Sequence, residues 1–444
     1  MCYWITKYVG CFQGDIMNCY LLKNNKIKFG YSNAAIYNFN NKSVYVVNKA
    51  LAQKLLIQPL SDLSNKIVEK LLQENIITTD STEQELNPLN FQYELFDDKY
   101  SYEKCKIVYL EVTDTCNFNC LHCYADIKND SANFMSLNAV QNYIDDIAKS
   151  GSCNIRITGG EPFLNKDICR IVDCVTETIA PLSTHSIVSN GSFDIEDALY
   201  ILEKGFELQI SIYGVDSGKF CNFTKSTPQK YNKILENLSI LSNSKYKNQI
   251  VLLFSVNSIT YADIETFKKL TQNLGFRYIL NRPASVGRAV QNWEQLKLPY
   301  KELVEFAKSQ KASTPFYCYH LCQLHWTSVM VNGDITPCGF LRNQENVIGN
   351  LKTDSFKNIW ENKRYNTFRK LNANDVQFCK DCEFEFVCTA GCCGETAAYT
   401  GNILNVFSWC QLKPYSNKDY LIIDENELYL TTKNAAGLFD FTIK

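Results

Sequence analysis

The sequence predicts an α/β fold, and three features of the 444-residue chain lead to that prediction. Between about residues 105 and 310, short apolar runs typical of strands alternate with helical patterns. Three closely spaced cysteines follow the first of those runs, and a larger group of cysteines lies nearer the C-terminus. This order favours a parallel sheet of six βα units, most simply an open, TIM-like partial (β/α)6 barrel, with a separate cysteine-rich unit behind it.

Composition argues against several other classes of protein. The net charge is -2 and the sequence pI is about 6.2, so no basic field indicates nucleic acid or an anionic membrane as a partner. No run of 18 apolar residues appears and the N-terminus lacks the basic start of a signal peptide, so we expect a cytoplasmic protein without a membrane segment. Twenty cysteines without an export signal favour metal ligation over a disulfide scaffold.

The chain is expected to divide into four stretches. In the first, strand patterns at Lys26 to Phe29 and Ser43 to Val47 precede an apolar helical pattern, and Thr78 to Pro88 is interpreted as a linker. The tail alternates apolar and polar residues and suggests a hairpin packed on an earlier domain. The expected boundaries are 1–100 for the N-terminal domain, 105–310 for the barrel, 311–418 for the cysteine-rich unit and 419–444 for the tail.

Six segments within the second stretch have the apolar content of buried strands. Helical patterns separate them, and Ser136 is placed to cap the first of these helices before Gly151 ends it. In a parallel barrel the chemistry lies on loops at the C-terminal ends of the strands. The predicted strands are Ile107 to Val112, Asn154 to Thr158, Ser186 to Ser189, Glu207 to Tyr213, Gln249 to Val256 and Arg277 to Leu280.

The first cysteine group is Cys116, Cys120 and Cys123, followed by the aromatic Tyr124. Three thiolates suit a [4Fe–4S] cluster and leave one iron open for a reagent, whereas zinc sites built from thiolates usually close with four ligands. This CxxxCxxC run resembles the signature of the radical S-adenosylmethionine (SAM) enzymes. The resemblance implies that the three cysteines are catalytic, that Tyr124 contacts the cofactor and that SAM chelates the open iron. Three buried thiols close together by chance are the alternative.

A second motif, Gly159-Gly160-Glu161-Pro162, follows the second predicted strand. Its glycines let backbone approach a ligand closely, Glu161 can accept an ammonium group and Pro162 fixes the turn. It resembles the GGEP motif that holds the SAM amino group in the same family, and an ordinary turn is the alternative.

Four more residues are assigned to SAM by resemblance alone. Ser189 and Asn190 end the third strand and Ser211 lies in the fourth, where polar groups would meet the ribose and carboxylate of SAM. A capping or turn role is the rival for Asn190. Arg288 falls in a segment resembling the family's Pro-x-x-x-Gly-Arg-Ala run, and a solvated cation is its rival interpretation.

The second cysteine group comprises Cys318, Cys322, Cys338, Cys379, Cys382, Cys388, Cys392 and Cys410. Its spacing resembles that of the SPASM domain in every interval. In that family the domain holds two auxiliary [4Fe–4S] clusters, so the chain would bind three clusters and SAM. The resemblance assigns Cys318, Cys322, Cys338 and Cys392 to one auxiliary cluster and Cys379, Cys382, Cys388 and Cys410 to the other. Zinc is the alternative metal. Cys318 and Cys322 both suit the first position, and Cys393 is a competing ligand; without Cys318 the first cluster would keep an open iron.

The resemblance implies a radical that abstracts hydrogen from an unactivated carbon, with the two closed auxiliary clusters as electron acceptors for a net oxidation. SPASM enzymes of this family mostly modify ribosomal peptides, and Gly339, where the sulfatase-maturase branch has Asp, counts against that branch. We therefore expect a peptide maturase that installs a thioether cross-link of the sactipeptide or ranthipeptide type.

Its expected partners are a precursor peptide, whose leader would bind a winged-helix-like N-terminal domain, and a flavodoxin or ferredoxin-type electron donor. A purely structural N-terminal cap is the alternative for that domain. Peptide epimerisation and sulfatase-type oxidation are the alternative reactions, and an iron–sulfur electron carrier or zinc protein is the non-enzymatic alternative. The GGEP segment discriminates against a carrier, which needs no SAM site.

Overall fold

The computed structural model describes residues 18–60, 62–91, 104–127, 132–151, 153–299, 302–303, 305–306, 325–376, 378–388, 391–405, 410, 424, 426–433 and 439–443. Two of the predicted cluster ligands, Cys318 and Cys322, lie outside these residues. No helix of the described residues is long and apolar enough to cross a bilayer.

The described strands form sheets of two, nine and five strands. In chain order the strands are β1 Tyr20–Leu21, β2 Asn25–Phe29, β3 Asn33–Asn38, β4 Ser43–Asn48, β5 Ile77–Thr78, β6 Ile107–Glu111, β7 Asn154–Thr158, β8 Ser186–Ser189, β9 Glu207–Ile212, β10 Ile250–Ser255, β11 Arg277–Asn281, β12 Trp326–Val329, β13 Asp334–Thr336, β14 Gly349–Asn350, β15 Tyr429–Lys433 and β16 Phe439–Ile443. The α-helices are Lys49–Lys54, Asn65–Gln73, Leu137–Ala148, Ile168–Thr178, Ile195–Glu203, Ser217–Thr224, Pro228–Ser242, Ile264–Leu274, Arg288–Gln291, Trp293–Leu296, Phe356–Trp360, Lys363–Lys370, Glu385–Cys388 and Cys393–Thr400.

The nine-stranded sheet confirms the predicted α/β fold with a mostly parallel sheet. Its strand order is β11-β10-β9-β8-β7-β6-β12-β13-β14, and β6 to β11 are mutually parallel and lie in chain order. On the other side of β6 the sheet continues into β12, also parallel, and then into the antiparallel β13 and β14. The cysteine-rich C-terminal unit therefore shares one sheet with the six predicted strands.

The two faces of the parallel strands differ in chemistry. Val108, Leu110 and Ile155 are fully buried and belong to one apolar core with helix residues such as Val140 and Ile171. Because side chains alternate along a strand, their neighbours in sequence point to the opposite face. That second face, which we call the inner face, carries polar residues beneath the strand ends. One lateral row of it, aligned by strand register, comprises Tyr109, Arg156, Ser186 and Glu207.

The N-terminal and C-terminal ends of the described chain meet in the five-stranded sheet. Its order is β16-β15-β4-β3-β2, so the hairpin predicted in the tail exists and β15 pairs antiparallel with β4. Leu428, directly before β15, is fully buried in the core of the N-terminal unit. The Ser64 hydroxyl donates to the side-chain oxygen of Asn426 at 2.5 Å. The tail is therefore an integral part of the N-terminal domain.

The segment Thr78 to Pro88 does not behave as the predicted linker. Its Glu85 is buried and binds the ammonium group of Lys26 at 2.9 Å, and the amide of Ile27 donates to the carbonyl of Pro88. These contacts cover the outer edge of β2. The polar composition suggested a linker because the burial of Glu85, one of three acidic residues in the segment, against Lys26 leaves no trace in the local sequence pattern.

The N-terminal domain packs directly on the second cysteine group of the C-terminal unit. The hydroxyl of Tyr31 donates to the carbonyl of Phe378, and that of Tyr37 donates to the carbonyl of Glu383 at 2.7 Å. Lys28 reaches the carboxylate of Glu385 at 2.5 Å, where the Glu385 side chain is only 2% exposed. Each of these partners lies within a few residues of a predicted cluster cysteine, so the N-terminal domain covers that cluster loop.

We expect the substitution Lys28→Met to loosen this contact. It leaves the Glu385 carboxylate buried without its cation, which destabilises the folded state by about 2 kcal/mol when one partner is partly exposed. The midpoint of thermal unfolding and the rate of proteolytic release of the N-terminal domain report the change. Lys268→Met, which removes the exposed pair with Glu265, is the matched control and should alter neither. Equal behaviour of the two variants would contradict the contact.

Candidate active site

The Gly-Gly pair of the GGEP segment lies against the backbone that leads into the first cysteine. The amides of Gly160 and Glu161 donate to the carbonyls of Thr113 and Thr115, both at 2.8 Å. A Cβ on Gly159 would lie 2.3 Å from the Thr113 oxygen, and one on Gly160 would lie 2.0 Å from the Thr115 oxygen. We predicted that these glycines allow close approach to a ligand, and the structure shows that their close approach is to the chain itself.

Glu161 is 1% exposed and its carboxylate organises the strand ends around it. It accepts hydrogen bonds from the Ser189 hydroxyl at 2.8 Å, the Asn190 amide at 2.7 Å and the Phe163 amide at 3.2 Å. Burial raises the pKa of Glu161 to about 7, against the lowering by those donors. A carboxylate has about four acceptor sites, so three protein donors leave one for an incoming ammonium group. The residues present therefore suit the amino group of SAM.

Asn190 serves both as a turn residue and as a link to the cysteine loop. Its side-chain oxygen accepts from the amide of Ser192, which is the turn role weighed in the sequence. Its side-chain amide donates to Asn117, the residue after Cys116, at 2.7 Å. Asn117 in turn donates to the Ser192 hydroxyl at 2.9 Å. The end of β8 is thereby tied to the first turn of the cysteine loop.

The three thiols of this loop lie close enough to influence each other electrostatically. Burial, together with the charges of Glu161 and Cys123, raises the pKa of Cys116 to about 12. Burial also raises the pKa of Cys120, with further increases from Cys116 and Cys123. Thiolates gathered in a buried place require positive charge beside them, and iron supplies it. The loop therefore suits a cluster that its three thiolates would hold and SAM would complete.

Within the described part of the chain, no three Cys, His, Asp or Glu side chains converge on the geometry of a single metal ion. Ligands of a [4Fe–4S] cluster bind separate irons, so they need not converge in that way. His122, inside the loop, packs against Tyr213 and Phe223, and burial lowers its pKa to about 4.

Arg288 holds the second half of the cysteine loop. Its guanidinium donates to the carbonyls of Cys120 and Ile127 and lies 3.3 Å from Asp126, while its amide donates to the carbonyl of Cys123. The residue before it, Gly287, has a φ of +59°, and a Cβ there would lie 2.4 Å from the backbone carbonyl oxygen of Tyr124. Arg288 is thus bound to the loop rather than solvated. A contact with SAM remains a prediction, as it does for Ser211 on the inner face of β9.

A pair of residues that sequence reasoning missed joins this loop to the C-terminal unit. Arg342, four residues after Cys338, forms a bidentate ion pair with Glu111 at the end of β6. The Glu111 side chain is only 3% exposed. The Arg342 guanidinium also lies 5.7 Å from the centre of the Tyr124 ring. A carboxylate ending an otherwise apolar strand was the available signal, because a buried charge requires a partner.

Gly339, noted in the sequence as a departure from the sulfatase-maturase branch, lies over the same ring. A Cβ at this position would be 3.2 Å from the Tyr124 ring edge. The neighbouring Phe340 ring meets the Tyr124 ring edge-on, with 5.8 Å between the two ring centres. A side chain at position 339 would press on Tyr124, so the glycine lets the Cys338 loop lie on the first cysteine loop.

The described auxiliary cysteines fall into two groups. Burial raises the pKa values of Cys379 and Cys382, and the charges of Cys388 and Cys410 raise both further, so these four thiols are near enough to interact. The resemblance assigns the same four to one cluster, and that assignment stays a prediction. Cys338 and Cys392 form the other group, and each has its pKa raised by burial and by the buried Cys393. Cys393 therefore stays a competing ligand. Both groups suit iron–sulfur clusters that their thiolates would hold.

A second missed carboxylate anchors the helix that follows Cys392. Glu395 is 1% exposed and pairs with Arg282 through two contacts of 2.9 and 3.1 Å. It also accepts from the amide and hydroxyl of Ser285, both at 3.0 Å. The segment after β11 is therefore bound to the C-terminal unit only three residues beyond a predicted cluster ligand.

Comparison with known proteins agrees with this geometry. Residues 110–270 match the radical SAM superfamily, and residues 318–383 match SPASM, an iron–sulfur cluster-binding domain. The AdoMet-dependent heme synthase of Methanosarcina barkeri is 22% identical over 350 residues, which are 70% of this chain and 97% of the relative.

Two kinds of solved structure share the fold. Streptococcus suis SuiB bound to S-adenosylmethionine has a TM-score of 0.55 at 15% identity, over 88% of this chain and all of SuiB. SuiB bound to precursor peptide SuiA has a TM-score of 0.54 at the same identity, over 89% of this chain. The protein anSMEcpe with bound AdoMet has a TM-score of 0.52 at 16% identity, over 69% of this chain and 94% of that one.

The chain therefore carries a radical SAM domain followed by a SPASM domain. Radical SAM proteins are enzymes that bind SAM and a [4Fe–4S] cluster, so the predicted enzymatic class and cofactor types are confirmed. This finding argues against the alternative of a non-catalytic iron–sulfur electron carrier or zinc protein. The number of clusters and the residues that hold each one remain predictions.

We expect Gly160→Ala to remove the first cluster while leaving the fold intact. The added methyl group would force the Thr115 carbonyl and the Cys116 amide out of place, and the cysteine loop with them. Iron content and electron paramagnetic resonance after anaerobic reconstitution measure the loss. Gly218→Ala, whose Cβ would meet a side-chain oxygen at 3.3 Å, is the control. Full iron content in Gly160→Ala would show that the backbone contact does not position the loop.

Proposed function

We propose that this chain is a radical SAM peptide maturase that removes hydrogen from a ribosomal precursor peptide and installs an oxidative cross-link, with a thioether favoured. The observation that carries the proposal is the likeness, over 89% of this chain, to the structure of SuiB bound to its precursor peptide SuiA. The likeness to anSMEcpe extends over only 69%. The SuiB match therefore takes in more of the chain than the match to anSMEcpe does.

The bound cluster and SAM would supply the radical that begins the reaction. The chain's own residues orient and enclose that chemistry. Glu161, Ser189 and Asn190 fix the strand ends where SAM would lie, and Arg288 holds the second half of the cysteine loop in place. The Glu111 to Arg342 pair fixes the SPASM domain against the same loop, which supports electron transfer between neighbouring cofactors.

The auxiliary clusters favour oxidation over epimerisation. If Cys318 and Cys322 complete the first group, both clusters are closed by thiolates and suit electron acceptance rather than binding of substrate. A cross-link requires removal of two electrons and two protons in all, and closed clusters give the electrons a route out. Epimerisation would instead need a hydrogen donor near the radical.

The leader of the peptide would bind to the N-terminal domain by adding a strand to its sheet. Among the described strands, β4 is already paired on both sides, with β3 and β15. The edge of β2 is partly covered by the segment ending at Pro88. Strand addition would therefore use β16, unless the leader displaces the hairpin from β4.

A different substrate class has one observation in its favour. The heme synthase relative aligns over 97% of its own length, so a radical SAM enzyme acting on a small tetrapyrrole is the second candidate. Its alignment accounts for 70% of this chain, whereas the SuiB likeness accounts for 89%. We favour the peptide because the additional N-terminal domain then has a role.

The radical chemistry is tested first. The purified, reconstituted enzyme should release 5′-deoxyadenosine from SAM under reducing conditions, and the triple variant of Cys116, Cys120 and Cys123 to Ala should release none. The matched control converts Cys169, Cys174 and Cys221, three half-buried cysteines outside the predicted ligand sets, to Ala and should retain the activity. Absence of 5′-deoxyadenosine from the intact enzyme would refute radical SAM activity.

The substrate is tested by co-expression with each small peptide found to be encoded near this gene, followed by mass spectrometry. Each cross-link should lower the peptide mass by two hydrogens, since the product is oxidised by two electrons. An unchanged mass with a D-residue would show epimerisation instead. An unmodified peptide would remove the peptide hypothesis and leave the tetrapyrrole as the substrate to test.

A further inference from the structure

The inner face of strands β6 to β11 carries one arginine that no carboxylate of that face pairs with, because Glu111 pairs with Arg342 from outside these strands. By strand register and side-chain alternation, its charged residues are Glu111, Arg156, Glu207 and Arg277. Three of the four have opposite-charge partners: Glu111 pairs with Arg342, and Glu207 pairs with Arg277 at 2.7 Å. The fourth, Arg156, pairs with no carboxylate among the described residues.

Arg156 is held by neutral groups that fix its direction without neutralising it. Its Nε donates to the Ser186 hydroxyl at 3.1 Å and one Nη donates to the Tyr109 hydroxyl at 3.3 Å. The guanidinium lies 5.3 Å from the centre of the Tyr109 ring. Ser186 and Tyr109 flank it on the neighbouring strands, so the side chain cannot easily swing away. A guanidinium has five N–H donors, and these contacts use two of them.

The nearest carboxylate along the row is engaged elsewhere. Glu207 lies two strands from Arg156, which is about 9.6 Å at the usual strand spacing. Its oxygens accept from Arg277 and from the Gln209 amide at 2.8 Å. A partly buried cation is costly unless it meets an anion, so a free donor set on this face suits an anionic ligand.

We propose that Arg156 binds a carboxylate of the substrate peptide, either an Asp or Glu side chain or the C-terminal carboxylate. The planar guanidinium recognises a carboxylate through parallel hydrogen bonds, which fixes orientation as well as position. Arg156 lies two residues before Thr158, about 7 Å along the strand from the end where SAM would be held. The site would thus anchor the peptide beneath the reacting centre. This inference rests on the proposed function.

SAM carries a carboxylate too, and the location of Arg156 favours the peptide. The residues that we assign to SAM lie at or beyond the C-terminal ends of β7 and β8, whereas Arg156 lies inside β7. The two sources of carboxylate make different predictions. A peptide site affects the KM for peptide, and a SAM site affects the dissociation constant of SAM.

The test uses the reconstituted enzyme and the peptide that it modifies in the co-expression experiment. We expect Arg156→Gln to raise the KM for the peptide about tenfold or more, as loss of a charge-assisted hydrogen bond does, with kcat and the SAM dissociation constant unchanged. Arg156→Lys should recover part of the loss. Arg277→Gln, on the same face but with its guanidinium already paired and 60% exposed, is the matched control and should leave the KM unchanged.

The peptide itself supplies the second half of the test. Its acidic residues are changed one at a time to the amide, and its C-terminus is amidated. One of these changes should raise the KM of the wild-type enzyme and have no further effect in Arg156→Gln. Iron content and thermal unfolding midpoint verify that the variant is folded.

Three results would overturn the assignment. An unchanged KM in Arg156→Gln removes the site, and a weakened SAM affinity assigns it to SAM. If the effect of Arg156→Gln on KM and the effect of the peptide change multiply at every acidic position, no peptide carboxylate binds Arg156. Failure of the wild-type enzyme to modify the peptide refutes the proposed function directly and needs no variant, so it is distinguished from failure of this inference.

Discussion

The active-site end of the molecule depends on one backbone contact, between the Gly159-Gly160 turn and the chain from Thr113 to Thr115. Two amide-to-carbonyl hydrogen bonds of 2.8 Å join the loops after β6 and β7, and no side chain can be accommodated between them. Because Cys116 follows directly, the contact sets where the cysteine loop begins. Because Glu161 follows Gly160, the same contact also positions the carboxylate that binds Ser189 and Asn190 at the end of β8. One close approach therefore aligns three strand ends, and this requires glycine at both positions.

The second organising feature is the use of buried ion pairs at the joints between domains. Glu111 with Arg342, Arg282 with Glu395 and Lys28 with Glu385 each join different parts of the chain, and each buried carboxylate is at most 3% exposed. Such pairs add little net stability, since desolvation offsets most of their attraction, but they penalise every arrangement in which one charge is buried alone. They therefore fix the relative placement of the domains that these residues join.

The sequence was most informative where chemistry or backbone alone determines the structure. All six predicted barrel strands exist, and β7 and β8 have the predicted limits, because apolar runs between helical patterns leave few alternatives. It was less informative where distant parts of the chain meet. Arg342 and Glu395 were missed because their partners lie more than 100 residues away. The strand Asn33–Asn38 was missed since all six residues are buried and polar asparagines bound it, which hides the alternation of a strand.

The return of the tail to the N-terminal domain constrains where the proposed leader peptide could bind. Strand β15 pairs with β4, and the other side of the same sheet packs on the loop of Cys379 and Cys382 through Tyr31 and Tyr37. A peptide strand added to this sheet would thus extend a sheet that packs on a cluster loop. Displacing the hairpin would remove Leu428 from the domain core at a cost of about 2 to 3 kcal/mol for exposing its side chain. That cost favours addition at β16, where binding leaves the core closed and the cluster loop undisturbed.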